Sequence, residues 1–145
     1  YKRQVKSSIG IGALLLKGIG DTIRVSLSAD PVEEIYAAKR ILRALGLEEN
    51  FADVVACPTC GRCEWDCMAL ADKVERRAFG SDKRCKIAVM GCVVNGPGEA
   101  ADADLGIAGG KDGCLIFRKG EPEAKVPRER AEEEFLKRVD ELLAR

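Results

Sequence analysis

Histidine is absent from this 145-residue chain. That removes His-ligated zinc, Rieske centres, His-ligated haem, and Ser-His-Asp or Cys-His catalysis within it. Aromatic residues are scarce, with one Trp, two Tyr and four Phe, too few for a base-stacking platform. Net charge is missing too: 24 basic residues balance 24 acidic ones. Neither a nucleic-acid surface nor an acidic tail is indicated. There is no long hydrophobic run. The most apolar early stretch, IGIGALLLKGIG, is short, rich in Gly and broken by Lys17, so it reads as neither signal peptide nor membrane span. The chain starts without Met, at Tyr1 and in mid-pattern, which suggests a piece of something longer.

Cysteine is what the chain does have, with seven residues. An odd number suits a disulfide framework poorly, and with no secretory signal the expected setting is a reducing cytoplasm. Whatever these thiols do, they do with one another or with oxygen ligands. The length and the 46% hydrophobic content suit one ordinary domain, or a small domain with an appendage.

Along the chain, 7–18 reads as a helix capped by Ser7 or Ser8 and ended by Gly18 and Gly20. DTIRVSLS alternates Ile23, Val25 and Leu27 with Arg24, Ser26 and Ser28, the pattern of a strand. A second helix follows, with Asp30 as N-cap, Pro31 in the first turn and Glu33 completing a capping box. Val32, Ile35, Leu42 and Leu45 form its expected apolar stripe, and Gly46 stops it. Residues 1–48 thus read helix–strand–helix, the rhythm of an α/β repeat that is not closed by itself. From 49 to 145 the pattern becomes α+β, a small sheet packed with helices. FADVVA is a strand, 63–79 a helix, CKIAVMGC a strand, VNGPGEAADA a loop and DLGIAGG a strand. A hairpin turning near Gly120-Glu121-Pro122 leads to an amphipathic helix begun by Pro127 and lined by Ala131, Phe135, Val139 and Leu142.

CPTCGRCEWDC has the spacing C-x2-C-x2-C-x3-C, which bacterial ferredoxins use to hold iron–sulfur clusters. No second such set exists, and Met68 stands where that pattern has Pro. Cys63 and Cys67 would share a face of the expected helix, and packing is the stronger reading for them. The same holds for Cys85 and Cys114 inside strands. Cys57 and Cys60 instead lie between a strand and a helix, whose N-terminus would favour negative charge beside them. Cys92, in MGCVVNGPGEA, also ends a strand and opens a loop in which Gly91, Gly96 and Gly98 permit close backbone approach. Three thiols could therefore surround one site, with Glu99 as a fourth donor or simply a solvated loop acid.

CPTCGR followed by MGCVVNGPGEAADADLGIAGG, with KGIGDTIRVSLSADPVEEI upstream, resembles the 4-hydroxy-3-methylbut-2-enyl diphosphate synthase family of the non-mevalonate isoprenoid pathway. The resemblance covers essentially the whole chain. It implies a [4Fe–4S] cluster held by Cys57, Cys60, Cys92 and Glu99, with Cys63 and Cys67 as bystanders and Asn95 beside the substrate. It further implies a sulfite- and nitrite-reductase-like cluster domain over 49–145, preceded by the final helix–strand–helix of a (β/α)8 TIM barrel over 1–48. Arg24 and Ser26 match residues that hold the substrate diphosphate. The implied reaction is a two-electron reductive ring opening and dehydroxylation of 2-C-methyl-D-erythritol 2,4-cyclodiphosphate, with one iron left open to substrate by its weaker carboxylate ligand. Electrons would come from a ferredoxin or flavodoxin, in a head-to-tail homodimer. The chain alone, lacking most of a barrel, is expected not to turn over, and the sequence leaves open whether it binds a cluster by itself. The competing readings are a small iron–sulfur electron carrier using Cys57, Cys60, Cys63 and one more thiol, and a zinc-stabilised or metal-free interaction domain.

Overall fold

The computed structural model describes residues 2–63 and 65–144 and divides into two units, Tyr1–Glu49 and Asn50–Arg145. In the first unit, α1 spans Lys2–Leu15 and α2 spans Pro31–Ala44. The first helix starts earlier than the serines suggested. Ser8 is interior, its hydroxyl donating to the Gln4 carbonyl at 2.8 Å. Both helices end alike. Ile19 N–H reaches Leu14 O and Gly18 N–H reaches Leu15 O; Leu47 and Gly46 repeat this on Leu42 and Arg43. Gly18 and Gly46 supply the left-handed turn, at φ 71° and 68°, that this double closure requires.

Asp30 caps α2 by accepting from Val32 N–H at 2.9 Å. The carboxylate that reaches back further is Glu34, not Glu33: it accepts from Leu27 N–H at 2.9 Å. The segment 22–27 keeps its alternation, Val25 being buried while Arg24 and Ser26 are exposed, but it joins no ladder and is not a strand. A strand needs a neighbour to take its N–H and C=O groups, and none is present among the described residues. The buried face of α2 also differs from expectation. Ala37 and Ile41 pack on Val25 with Ile11, Leu15, Ala38 and Leu45 around them, whereas Val32 and Ile35 are exposed.

The second unit is mixed α+β, around one five-stranded sheet in sequence order. Its strands are β1 Ala52–Ala56, β2 Cys85–Met90, β3 Leu105–Gly110, β4 Gly113–Arg118 and β5 Glu121–Val126. The first three run parallel and the last two antiparallel. Helix α3, Cys67–Ala78, crosses from β1 to β2, and α5, Arg128–Ala144, closes the chain. Strand periodicity separates two cores. Ile87, Val89, Leu105, Ile107 and Ile116 meet Leu70 and Val74 of α3 and Phe135 and Val139 of α5. On the opposite face Ala88, Met90, Ala108 and Phe117 meet Ala100 and Ala103. There Phe117 lies over its cross-strand partner Gly106, where a Cβ would come within 2.2 Å of the ring.

Two elements of this unit depart from expectation. The helix read over 63–79 begins at Cys67, because Asp66 caps it by accepting from Ala69 N–H at 3.0 Å. The loop read over 94–103 contains one helical turn, α4, Gly96–Glu99.

Candidate metal centre

Parallel pairing puts the C-terminal ends of β1 and β2 side by side, with Ala56 opposite Val89. One further bond, Cys57 N–H to Val89 O at 3.0 Å, carries the pairing one residue past β1. Cys57 and Cys92 therefore leave neighbouring strands at the same edge of the sheet. In the loop after Cys57, Thr59 has φ 44°, an uncommon conformation for a β-branched residue. Such strain persists where surrounding structure fixes it, and commonly at binding loops. Cys63 N–H closes the turn on Cys60 O at 3.0 Å. Trp65 then anchors the return: its ring packs where Gly109 leaves no side chain, and its Nε1–H donates to Met90 O at 3.2 Å.

On the other strand, Gly91 permits a close approach. A Cβ there would stand 3.0 Å from Cys63 Sγ and 3.5 Å from Cys57 Sγ. Gly96 is equally constrained, since its Cβ would fall 2.7 Å from that of Met90. Gly98, by contrast, faces open space. Cys92 O accepts from Gly96 N–H and Asn95 O from Glu99 N–H at 2.8 Å. Asn95 and Glu99 are therefore one turn apart and project on the same side. Asn95 occupies the N-cap position of α4, yet its amide makes no cap hydrogen bond. Both side chains are exposed, Cys60 is exposed, Cys57 half-buried and Cys92 buried.

A cavity of about 500 Å³ lies at this edge, lined by Cys57, Pro58, Cys60, Gly61, Arg62, Met90, Gly91, Cys92, Asn95, Gly96 and Glu99. The two loops thus bring together Cys57, Cys60, Cys92, Asn95 and Glu99. Cys63 and Cys67 lie outside its wall. Burial pushes the Cys67 thiol up to about 12, with the neighbouring Cys63 sulfur adding to the effect. Burial likewise raises Cys85 and Cys114, which sit within β2 and β4 on the helix-covered face. Arg24 and Ser26 lie in the other unit, exposed on the extended segment.

Among the described residues, no three of His, Cys, Asp or Glu gather tightly enough to hold one metal ion. A single zinc draws all its donors to within about 2.0–2.3 Å of one point. A four-iron cluster spreads its donors over separate metals. Three thiols and a carboxylate around the wall of one cavity are a donor set of the kind a cluster takes. The anion-favouring helix N-terminus expected beside Cys57 and Cys60 is not part of this site, because α3 starts only at Cys67. Two contributors escaped the sequence reading. Arg62 brings a cation into the wall, and its place directly after CPTCG was the available signal. Trp65 braces the loop through Gly109, 44 residues away in sequence, which no local pattern reveals.

Two family models match the chain. The GcpE protein C-terminal domain covers residues 53–141, and the GcpE TIM-barrel domain covers residues 1–39. Among similar proteins is the 4-hydroxy-3-methylbut-2-en-1-yl diphosphate synthase (flavodoxin) of Clostridium tetani, 60% identical over 125 residues, which is 86% of this chain and 36% of that protein. The namesake from Nitratidesulfovibrio vulgaris is 62% identical over 117 residues, 81% of this chain and 30% of the relative. That from Clostridium acetobutylicum is 51% identical over 142 residues, 98% of this chain and 41% of the relative. The chain thus spans between 30% and 41% of the length of these relatives.

Proposed function

The chain belongs to the GcpE family, and on that premise we propose that it is the C-terminal, cluster-bearing part of a 4-hydroxy-3-methylbut-2-enyl diphosphate synthase. Residues 49–145 form the cluster domain, of the sulfite- and nitrite-reductase-like kind. Residues 1–48 are the last helix, extended segment and helix of a (β/α)8 barrel, the segment 22–27 becoming a strand only beside neighbouring barrel strands. The observation that carries this reading is the composition of the cavity wall, which includes Cys57, Cys60, Cys92, Asn95 and Glu99 but neither Cys63 nor Cys67.

In this reading Cys57, Cys60 and Cys92 supply thiolates to a [4Fe–4S] cluster and Glu99 supplies a carboxylate oxygen, a harder and more weakly held ligand than thiolate. The cluster, when bound, supplies single electrons taken from a flavodoxin, the donor named for the relatives, or from a ferredoxin. The overall reaction takes 2-C-methyl-D-erythritol 2,4-cyclodiphosphate, two electrons and two protons to 4-hydroxy-3-methylbut-2-enyl diphosphate and water. Asn95, its amide not used to cap α4, hydrogen-bonds the substrate. Arg62 places a positive charge in a wall otherwise furnished with anionic donors. Arg24 and Ser26, adjacent on the polar side of the barrel segment, hold the diphosphate. The complete enzyme works as a homodimer, and this chain alone does not turn over.

Anaerobic reconstitution tests the assignment. About four iron and four sulfide per chain, lost in Cys92→Ser and kept in Cys63→Ser, is the expected result. Loss in Cys63→Ser with Cys92→Ser unaffected would establish a ferredoxin-like run and an electron carrier instead. Glu99→Cys, placed in the full-length enzyme, should keep the cluster and lose turnover; normal activity there would remove the special role of the carboxylate.

A further inference from the structure

Among the described residues one pair of thiols is in contact: Cys63 Sγ and Cys67 Sγ lie 3.6 Å apart. Neither lines the cavity, and the proposed reaction uses neither. The contact is built by the fold. Cys67 opens α3 and is 1% exposed. Cys63 lies in the preceding loop, half-buried, its N–H on Cys60 O and its S–H on Trp65 O at 3.1 Å. Cys57 and Cys60, although arranged as C-x2-C, are not in such contact with any thiol among the described residues.

We propose that Cys63 and Cys67 are a reversible redox site beside the cavity, which a two-electron oxidant of the peroxide class closes to a disulfide. A disulfide bond is about 2.05 Å long, so the sulfurs must approach by about 1.5 Å. A side-chain rotation at Cys63, which is in a loop and not in α3, supplies movement of that size. The partly exposed Cys63 sulfur attacks the peroxide, forming a sulfenic acid and releasing one water. Cys67 sulfur then attacks the Cys63 sulfur, and its thiol proton leaves with the displaced hydroxyl as a second water. Two thiols and one hydrogen peroxide thus give one S–S bond and two waters, and a dithiol reductant reverses the oxidation. The site takes oxidising equivalents while Cys57, Cys60 and Cys92 remain thiols. That benefit rests on the cluster reading, whereas the disulfide itself does not.

The test treats the cluster-free 145-residue chain with one equivalent of hydrogen peroxide, alkylates it, and cleaves it after Glu64 and Asp66, between the two cysteines. The expected product is a pair of peptides, one carrying Cys63 and one Cys67, that stay joined until reduced. The thiol count in denaturant falls by two from seven. Cys63→Ser should abolish the link and Cys60→Ser should leave it intact. Since Cys67 is buried and its replacement could unfold the chain, the Cys63 variant is the decisive one. A principal Cys57–Cys60 bond, over-oxidation of single cysteines, or seven thiols surviving an equivalent that oxidises free cysteine would each overturn the proposal. Iron uptake by Cys63→Ser is a separate measurement: failure there removes the cluster assignment and leaves the disulfide result standing.

Discussion

In the first unit two helices and an extended segment bury Val25, Ala37 and Ile41 and little else. Val5, Ile9, Leu14, Leu16, Ile19, Val32, Ile35 and Leu47 remain exposed. In the second unit a five-stranded sheet buries apolar side chains on both faces, and its exposed large hydrophobics are Met68, Val93 and Val94. Each unit has a helix with an Asp N-cap, α2 and α3, and alternating segments, so local signals do not distinguish them. The difference is whether each apolar surface has a layer to pack on, since a helix stripe or a sheet face is stable only when covered. The candidate site belongs entirely to the covered unit. Its loops spring from paired strands, whereas Arg24 and Ser26 ride on a segment with no ladder.

The largest expected effect comes from separating the two. A chain of residues 50–145 should melt in one cooperative transition followed by far-ultraviolet circular dichroism. Residues 1–49 alone should show none, because short helices without tertiary packing are marginal in water. A cooperative melt of 1–49 would break the comparison. Next in size is a pair of core truncations. Phe117→Ala removes the ring that covers Gly106 and should cost about 3–5 kcal/mol, read as a lower urea midpoint. Ile41→Ala, also at a buried position, should leave that main transition nearly unmoved. If the two variants shift it alike, the units unfold together and the contrast is only one of appearance.

The same contrast governs what the sequence disclosed. FADVVA, CKIAVMGC and DLGIAGG read correctly because their partners lie within the chain. DTIRVSLS carries as clear an alternation and forms no ladder, since periodicity records which face would be buried and not whether anything buries it. Val32 and Ile35 mislead for that reason. The shift of α3 from residue 63 to 67 has a local cause: Asp66 offers a cap that helical periodicity alone overlooks. Helix α4 was invisible because GPGE has the composition of a turn. The gathering of Cys57, Cys60 and Cys92 was legible from the two loops, whereas Glu99 stayed open between donor and solvated acid and Asn95 came only from the family resemblance. The bracing by Trp65 on Gly109 and the clearance at Gly91 were not legible, since both depend on residues far apart in sequence.

The smallest effect tests how the second unit ties its parallel strands at the end opposite the cavity. Asp104 Oδ2 accepts from Lys86 N–H at 2.8 Å, while Asp104 N–H donates to Lys86 O at 2.8 Å. Its other oxygen pairs with Lys119 Nζ at 2.7 Å. Partial burial works to raise the Asp104 carboxyl, but the hydrogen bonds from Lys119 and Lys86 and the nearby positive charge outweigh it and hold the group below the usual aspartate range. A carboxylate lowered on folding adds stability above its unfolded value, about 3.9, and that stability is lost as pH falls through the lower folded value. Asp104→Asn keeps an oxygen to accept from Lys86 N–H and turns the oxygen that faces Lys119 into an amide NH2, so it removes the charge together with that ion pair. It should therefore cost about 1 kcal/mol or less at pH 7, with the gap to the parent closing below about pH 4. Urea midpoints of both proteins from pH 6 to 3 measure it. A gap that stays constant over that range would mean that Asp104 works through shape and hydrogen bonding alone, with no charge contribution to the tie between β2 and β3.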